Sequence, residues 1–212
     1  AENVKGLLLG EAKDYLRKIY KEFEDAGFYC QHFLLNASRM GVPQRRERVF
    51  FICLRKDLAG SFLYQKDFFT EVPKIEMEFC KKEVTFGEIE DKGNFENKLP
   101  KRSAQLWQNR KEGDCDLANA CERVYNKRAH FNSKFAYRGK VLSTLTAHIE
   151  ANVSFYEPRF LSNKEIIKAA SFPNDYNFLK CRPNYVCGMS VPPLMMYEIA
   201  SNIYNQWLSK LK

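Results

Sequence analysis

The densest group of chemically capable side chains is Pro43-Gln44-Arg45-Arg46-Glu47-Arg48, directly ahead of the apolar run Val49-Phe50-Phe51-Ile52-Cys53-Leu54. Alternate residues of an extended segment point the same way, so Gln44, Arg46 and Arg48 share one face, and Arg45 and Glu47 the other. An amide and two guanidiniums converging at the end of a strand suit an oxygen-rich or anionic ligand. The same pattern also fits a surface edge held by Arg–Glu pairs. A second carboxylate and amide stand together in Glu2-Asn3-Val4, where taken alone a capping or solvated Glu is the plainer reading. The 7 cysteines include no Cys-x-x-Cys pair and none that follows a proline. Cys115, Cys121, Cys181 and Cys187 with His130 lack the tight pair spacing of structural zinc sites, so free thiols and no metal are expected.

Charge adds a partner. Lys and Arg number 34 and Asp and Glu 26, a net charge of +8, with twelve basic and six acidic residues between 91 and 140. The stretch 123–140 holds Arg123, Lys127, Arg128, Lys134, Arg138 and Lys140 without a single acid, interleaved with Tyr125, His130, Phe131, Phe135 and Tyr137. An anionic partner held by one segment accounts for this, as does an ordinary solvated loop. No apolar run of about 18 residues occurs, which excludes a transmembrane helix.

The elements that must position these residues follow from periodicity. Ala12, Tyr15, Leu16, Ile19, Phe23 and Ala26 fall at helical spacing over 11–26, and Gly27 stops that helix. Phe28 to Leu35 reads as a strand, Asn36 to Pro43 as a turn, and 49–54 as a strand apolar enough to be covered on both faces. From residue 57 the pattern breaks into short apolar runs. Regular order returns after Pro158: Ser162 or Asn163 can cap a helix through Ala170, and a last helix starts at Pro192-Pro193 with Met196, Ile199, Ala200, Ile203 and Trp207 on one face. His32 reads as a strand residue with a satisfied hydrogen bond.

The order of the whole set resembles the second half of the DNA cytosine-5 methyltransferases. Glu2-Asn3-Val4, a helix, then Gly41-Val42-Pro43-Gln44 and two spaced arginines entering an apolar strand, follow the family order. Arg159-Phe160-Leu161-Ser162-Asn163-Lys164-Glu165 with Phe172-Pro173-Asn174-Asp175-Tyr176 is similar to its ninth motif, and Tyr185-Val186-Cys187-Gly188-Met189-Ser190-Val191-Pro192-Pro193 to its tenth. The resemblance implies an α/β fold: the C-terminal part of a Rossmann-like, S-adenosylmethionine-dependent sheet plus a small irregular, mostly β target-recognition domain. It implies boundaries at 1–56 for the catalytic part, 57–180 for recognition including the ninth-motif helix, and 181–212 for the tenth motif and its helix.

The resemblance also implies roles. In the family a cysteine thiolate adds to carbon 6 of cytosine, and carbon 5 then takes the methyl of S-adenosylmethionine. Glu2 would hold ring N3 and the 4-amino group, Arg48 would neutralise O2, and Arg46 would support the pocket, with Asn3 and Gln44 beside the substrate. The target base would be flipped out of the duplex. Arg138, Ser143, Thr144, Thr146 and His148 would contact double-stranded DNA, the segment 143–147 resembling the family's Thr-Leu-rich segment. Gly188, Ser190 and Val191 would touch the cofactor, although Met189 stands where the tenth motif has an amide. The nucleophilic Pro-Cys and the Gly-rich cofactor loop are not in this sequence, so the resemblance implies an N-terminal catalytic half, in the same polypeptide or as a separate subunit, without which this chain is inactive. Restriction–modification is the implied context, cytoplasmic and nucleoid-associated in a prokaryote or nuclear in a eukaryote. A non-catalytic, degenerate DNA-binding module, or an RNA-methylating relative, remains an alternative reading.

Overall fold

Nine residues from Glu47 to Arg55, six of them apolar and four of those aromatic or β-branched, make the strand on which the first part of the chain is built. The computed structural model describes residues 1–68, 70–93, 97–127 and 133–211. The chain divides into two compact units: Ala1–Asn36 with Glu47–Cys80 and Tyr197–Lys212, and Ala37–Arg46 with Lys81–Met196.

In the first unit a three-stranded antiparallel sheet has the order β1 (Glu2–Val4), β3 (Glu47–Arg55), β2 (Phe28–Asn36). The central β3 is antiparallel to both neighbours. Val49, Phe50, Phe51, Ile52 and Leu54 are all buried, so both faces of β3 are covered, as its unbroken apolar run requires. Helix α1 (Lys13–Asp25) joins β1 to β2 and ends as the sequence indicates: Gly27, at φ +84°, takes the left-handed turn that closes the helix. Tyr20 of α1 meets His32 and Phe51 edge-on, and Tyr20 Oη lies 2.5 Å from His32 Nδ1, the hydrogen bond expected for that histidine. No α1 residue is fully buried. A hairpin of β4 (Leu63–Asp67) and β5 (Thr70–Pro73) completes the unit, anchored by Trp207, whose indole N–H donates to Lys74 O at 2.8 Å.

The second unit holds α2 (Phe86–Ile89), α3 (Lys101–Gln108), α4 (Leu117–Tyr125), the parallel pair β6 (Lys134–Ala136) and β7 (Asn152–Ser154), α5 (Asn163–Ala169) and α6 (Pro183–Met189). The stretch read from sequence as irregular thus carries three short helices beside its strands. Their caps were written in polar residues outside any long apolar stripe: Thr85 with Glu88, and Asp116 with Asn119, form reciprocal capping boxes. Alternation along β6 sends Phe135 into a cluster with Leu106, Leu117 and Val153, and Ala136 into another with Phe86, Leu145, Leu161 and Ile166. Ser162 caps α5 as its sequence predicts. The last helix, α7 (Pro193–Gln206), begins at the second proline. Its buried residues are Met195 and Ile199, while Met196 is exposed, so the inward stripe sits partly one residue away from the predicted face.

Candidate functional site

Glu2 and Arg48 come together because β1 and β3 pair in antiparallel register, with Glu2 opposite Phe50 and Val4 opposite Arg48. That register puts Glu2 and Arg48 on diagonal positions of one face. Arg48 Nε lies 3.0 Å from Glu2 Oε1, and Arg48 Nη1 donates to Glu47 O at 2.8 Å. The Arg48 side chain is 16% exposed and that of Glu2 33%, so the pair lies at the surface of the sheet with one side open. A carboxylate and a guanidinium held side by side can take the two edges of a planar polar ring, one accepting and one donating. Asn3 points elsewhere: its Oδ1 accepts from Val4 N at 2.8 Å, and it borders an apolar groove with Leu7, Tyr15, Ile19 and Phe23.

In the second unit the predicted alternation holds, with Arg45 exposed between buried Gln44 and Arg46, but that face points inward. Gln44 Nε2 donates to Ala169 O at 2.9 Å and its Oε1 accepts from Leu145 N at 3.2 Å. The guanidinium of Arg46 donates to Leu145 O at 3.0 Å and Gly188 O at 2.9 Å. Thr144 Oγ1 donates to Arg45 O, and Arg45 N to Leu142 O. Segment 44–46 is therefore stitched to 142–146 and to α6. Gly188 has no room for a side chain: a Cβ there would lie 2.1 Å from Thr146 C and 2.2 Å from Thr146 O.

The candidate recognition residues fall along the same loop. Ser143 Oγ donates to Asn152 Oδ1 at 2.7 Å, and Thr146 and His148 make a local turn contact. His148 lines a polar cavity of about 500 Å³ together with Asn97, Glu150, Asn163, Arg182 and Asn184, and Asn184 Nδ2 donates to Ala147 O at 2.7 Å. Arg138 is held more firmly than its exposed position suggests. It forms a bidentate pair with the buried carboxylate of Glu90, at 2.6 and 3.0 Å, and its guanidinium lies 4.1 Å from the centre of the Tyr156 ring. The Glu90 carboxylate raises the Arg138 pKa further.

The acid-free stretch does find acids in neighbouring segments. Arg123 pairs with Asp114 and Lys134 with Asp116, so these two cations are partly neutralised, whereas Lys140 sits 4.8 Å over the Tyr137 ring. Arg128, His130 and Phe131 lie outside the described residues. Glu90, Tyr156, Arg182 and Asn184 were not singled out in the sequence. They share no motif with the residues they serve, and only long-range packing brings them there. Among the described residues no group of three His, Cys, Asp or Glu side chains could hold a metal ion, and no helix is long and apolar enough to cross a membrane.

Two of the tenth-motif residues, Gly188 and Ser190, are already engaged within the chain. Gly188 is filled by the 146–147 backbone and its carbonyl is taken by Arg46, while the Ser190 hydroxyl donates to Cys187 O at 3.2 Å.

The family model for C-5 cytosine-specific DNA methylase matches residues 1–205. The type II methyltransferase M.NgoFVII of Neisseria gonorrhoeae is 28% identical over 221 residues, spanning 96% of this chain and 57% of that protein. M.FnuDI of Fusobacterium nucleatum is 52% identical over 58 residues, 27% of this chain and 17% of that protein. Among solved structures, a mutant DNMT2 of Spodoptera frugiperda matches 96% of this chain and 65% of its own at 17% identity, with a TM-score of 0.60. The methyltransferase EhMeth of Entamoeba histolytica matches 96% and 61% at 14% identity, with a TM-score of 0.55. The chain thus spans little more than half the length of the curated relative that matches it end to end.

Proposed function

The chain belongs to the C-5 cytosine-specific DNA methylases, and from that membership we propose that it supplies the cytosine pocket and the DNA-recognition surface of a methyltransferase whose nucleophile lies outside residues 1–212. The observation that carries this reading is the Glu2–Arg48 pair, a carboxylate and a guanidinium 3.0 Å apart on adjoining strands of one sheet face. S-adenosylmethionine, when bound, supplies the methyl group. The Pro-Cys nucleophile and the Gly-rich loop belong to an N-terminal catalytic half, in the same polypeptide or as a separate subunit.

Within this chain the division of labour is as follows. A cytosine entering the site displaces the Glu2–Arg48 contact: Glu2 takes the edge bearing N3 and the 4-amino group, and Arg48 donates to O2. Negative charge that develops on the ring then meets a guanidinium held on a strand, so little reorganisation is needed at the moment of reaction. Within the second unit Gln44 and Arg46 hold the 142–146 loop and α6 in place through backbone carbonyls. Arg138, fixed by Glu90 and packed over Tyr156, presents a rigid guanidinium, its charge partly offset by Glu90, to a phosphate or a base plane, and His148 with Ser143, Thr144 and Thr146 lies along the same recognition loop. The recognition and catalytic roles divide near residues 56 and 180, a partition of function distinct from the two compact units. Double-stranded DNA is the substrate on this reading, and restriction–modification its setting.

The test supplies a polypeptide carrying Pro-Cys and the Gly-rich cofactor loop and measures methyl transfer to duplex DNA, with tRNA as competitor. Glu2→Gln should lower kcat by about 10²–10³-fold, the usual effect of removing one preorganised group at a charge-developing site. Full activity of Glu2→Gln would remove Glu2 from the reaction. Preference for tRNA would move the substrate to RNA, and salt-sensitive DNA binding without any restored transfer would favour a non-catalytic binder.

A further inference from the structure

Cys30 on β2 and Cys53 on β3 stand directly opposite one another in the antiparallel register. Their Sγ atoms are 3.1 Å apart and share a hydrogen bond, and both residues are half-buried. The next pair on the same face, His32 and Phe51, lies under Tyr20 of α1, so the strands are held in register beside the thiols. A disulfide needs its sulfurs at about 2.05 Å and its Cβ atoms at about 3.5–4.5 Å. Directly opposed antiparallel residues come within about 4.5–5.5 Å at Cβ. The two sulfurs therefore need to close by about 1 Å, within side-chain rotation and slight strand adjustment. Among the other cysteines, Cys80, Cys115 and Cys181 are exposed and Cys121 and Cys187 are buried.

We propose that Cys30 and Cys53 are a modification site, a dithiol that a low-molecular-weight disulfide such as oxidised glutathione converts reversibly into a cross-strand disulfide. Cys53 Sγ donates to Cys30 Sγ, so the two thiols titrate as one pair whose first proton leaves more readily than that of an isolated thiol and whose second leaves less readily. The pair's first thiolate attacks one sulfur of oxidised glutathione, forming a protein–glutathione mixed disulfide and expelling one glutathione thiolate. The other cysteine then gives its proton to solvent, and its thiolate attacks the protein sulfur of the mixed disulfide beside it, closing the protein disulfide and releasing the second glutathione. Two protein thiols are oxidised and one glutathione disulfide is reduced. The product fixes β2 to β3 in the sheet whose other edge carries Glu2.

The experiment treats the 212-residue chain with oxidised glutathione, alkylates the remaining thiols and maps peptides without reductant. The expected result is one internal cross-link, Cys30 to Cys53, reversed by dithiothreitol, and a rise of about 6–12 °C in the thermal midpoint from closing the intervening loop. At least one of Cys30→Ser and Cys53→Ser should stop at the intermediate, with glutathione retained on the remaining cysteine. A cross-link mapping to any other pair overturns the proposal. So does alkylation of both Cys30 and Cys53 while the exposed cysteines carry glutathione, or folded Cys30→Ser and Cys53→Ser chains of which neither retains glutathione on the remaining cysteine. Should both variants fail to fold, the wild-type peptide map decides alone.

Discussion

Arg46 shows what a buried guanidinium does when its donors are aimed at backbone. It is 1% exposed and joins two segments far apart in sequence through Leu145 O and Gly188 O. A lysine there has one charged nitrogen and cannot reach both carbonyls in the same fork, so Arg46→Lys should destabilise by about 1.5–3 kcal/mol, the worth of a hydrogen bond to a charged group. Gly188→Ala should cost at least as much, because its Cβ meets backbone that cannot rotate away. Denaturant midpoints read both. The sequence made Gln44, Arg46 and Arg48 visible as a cluster and their alternation is real, but which side of that alternation is the interior depends on the 142–146 loop about a hundred residues later. Glu2 was legible only through motif order, since a three-residue strand carries no pattern of its own. His32 adds a prediction in pH. Burial, with Lys66 nearby, holds its pKa below the ordinary value of 6.5, so the folded chain binds the proton less readily than the unfolded one. Its contribution is complete above pH 6.5 and declines as pH falls through that value toward the folded pKa. His32→Gln, which keeps an acceptor for Tyr20, should flatten the slope of unfolding midpoint against pH in that window. An unchanged slope would mean that other groups carry the acid response.

Helix α5 shows how one element can be written twice, once in its cap and once in an ion pair. Glu165, fully buried, accepts from the Ser162 and Asp91 backbone N–H groups and from both terminal nitrogens of Arg159, itself 1% exposed. Burial alone would lower the Arg159 pKa, and its bonds to Glu165 and Glu157 overturn that and raise it. Removing Glu165 leaves the buried Arg159 with Glu157 alone and takes the acceptor from the Ser162 and Asp91 N–H groups, so Glu165→Ala should destabilise by about 3–5 kcal/mol. The double change Arg159→Met with Glu165→Leu should cost less than the single one, because the charge it leaves without a partner is Glu157, whose side chain reaches solvent. Equal losses in thermal or chemical unfolding would assign the effect to the lost cap instead. The cap itself was legible in sequence, as were α1, β2, β3 and the start of α7, each with a long apolar period or a strong terminator. The pair was not, because Arg159 and Glu165 read equally well as solvated surface. Helices α3 and α4 escaped for the opposite reason: at eight and nine residues they hold too few turns for a stripe to stand out.

At the scale of the whole molecule, the first unit carries an open apolar groove. Asn3 and Leu7, with Tyr15, Ile19 and Phe23 of α1, line this groove of about 570 Å³, and Tyr15 is 64% exposed. Beside it β1 pairs on one side only, with β3, and among the described residues no strand occupies its other edge. An uncovered apolar face next to an open strand edge is a standing invitation to association. The relative aligned with 96% of this chain extends well beyond it, and this chain spans 57% of that relative, so a segment long enough to cover both features exists in a family member. Under the proposed function, the polypeptide carrying Pro-Cys would be the occupant, since it would also have to reach Glu2 and Arg48. Alone, the chain should therefore bind a hydrophobic dye such as anilinonaphthalene sulfonate and self-associate as its concentration rises. Adding the Pro-Cys polypeptide should abolish dye binding and raise the unfolding midpoint, whereas duplex DNA, drawn to the positively charged segments, should leave the dye in place. Ile19→Asp and Phe23→Asp should weaken that assembly while leaving DNA binding by the chain unchanged. Loss of the dye signal with DNA alone would show instead that the groove belongs to the nucleic-acid surface.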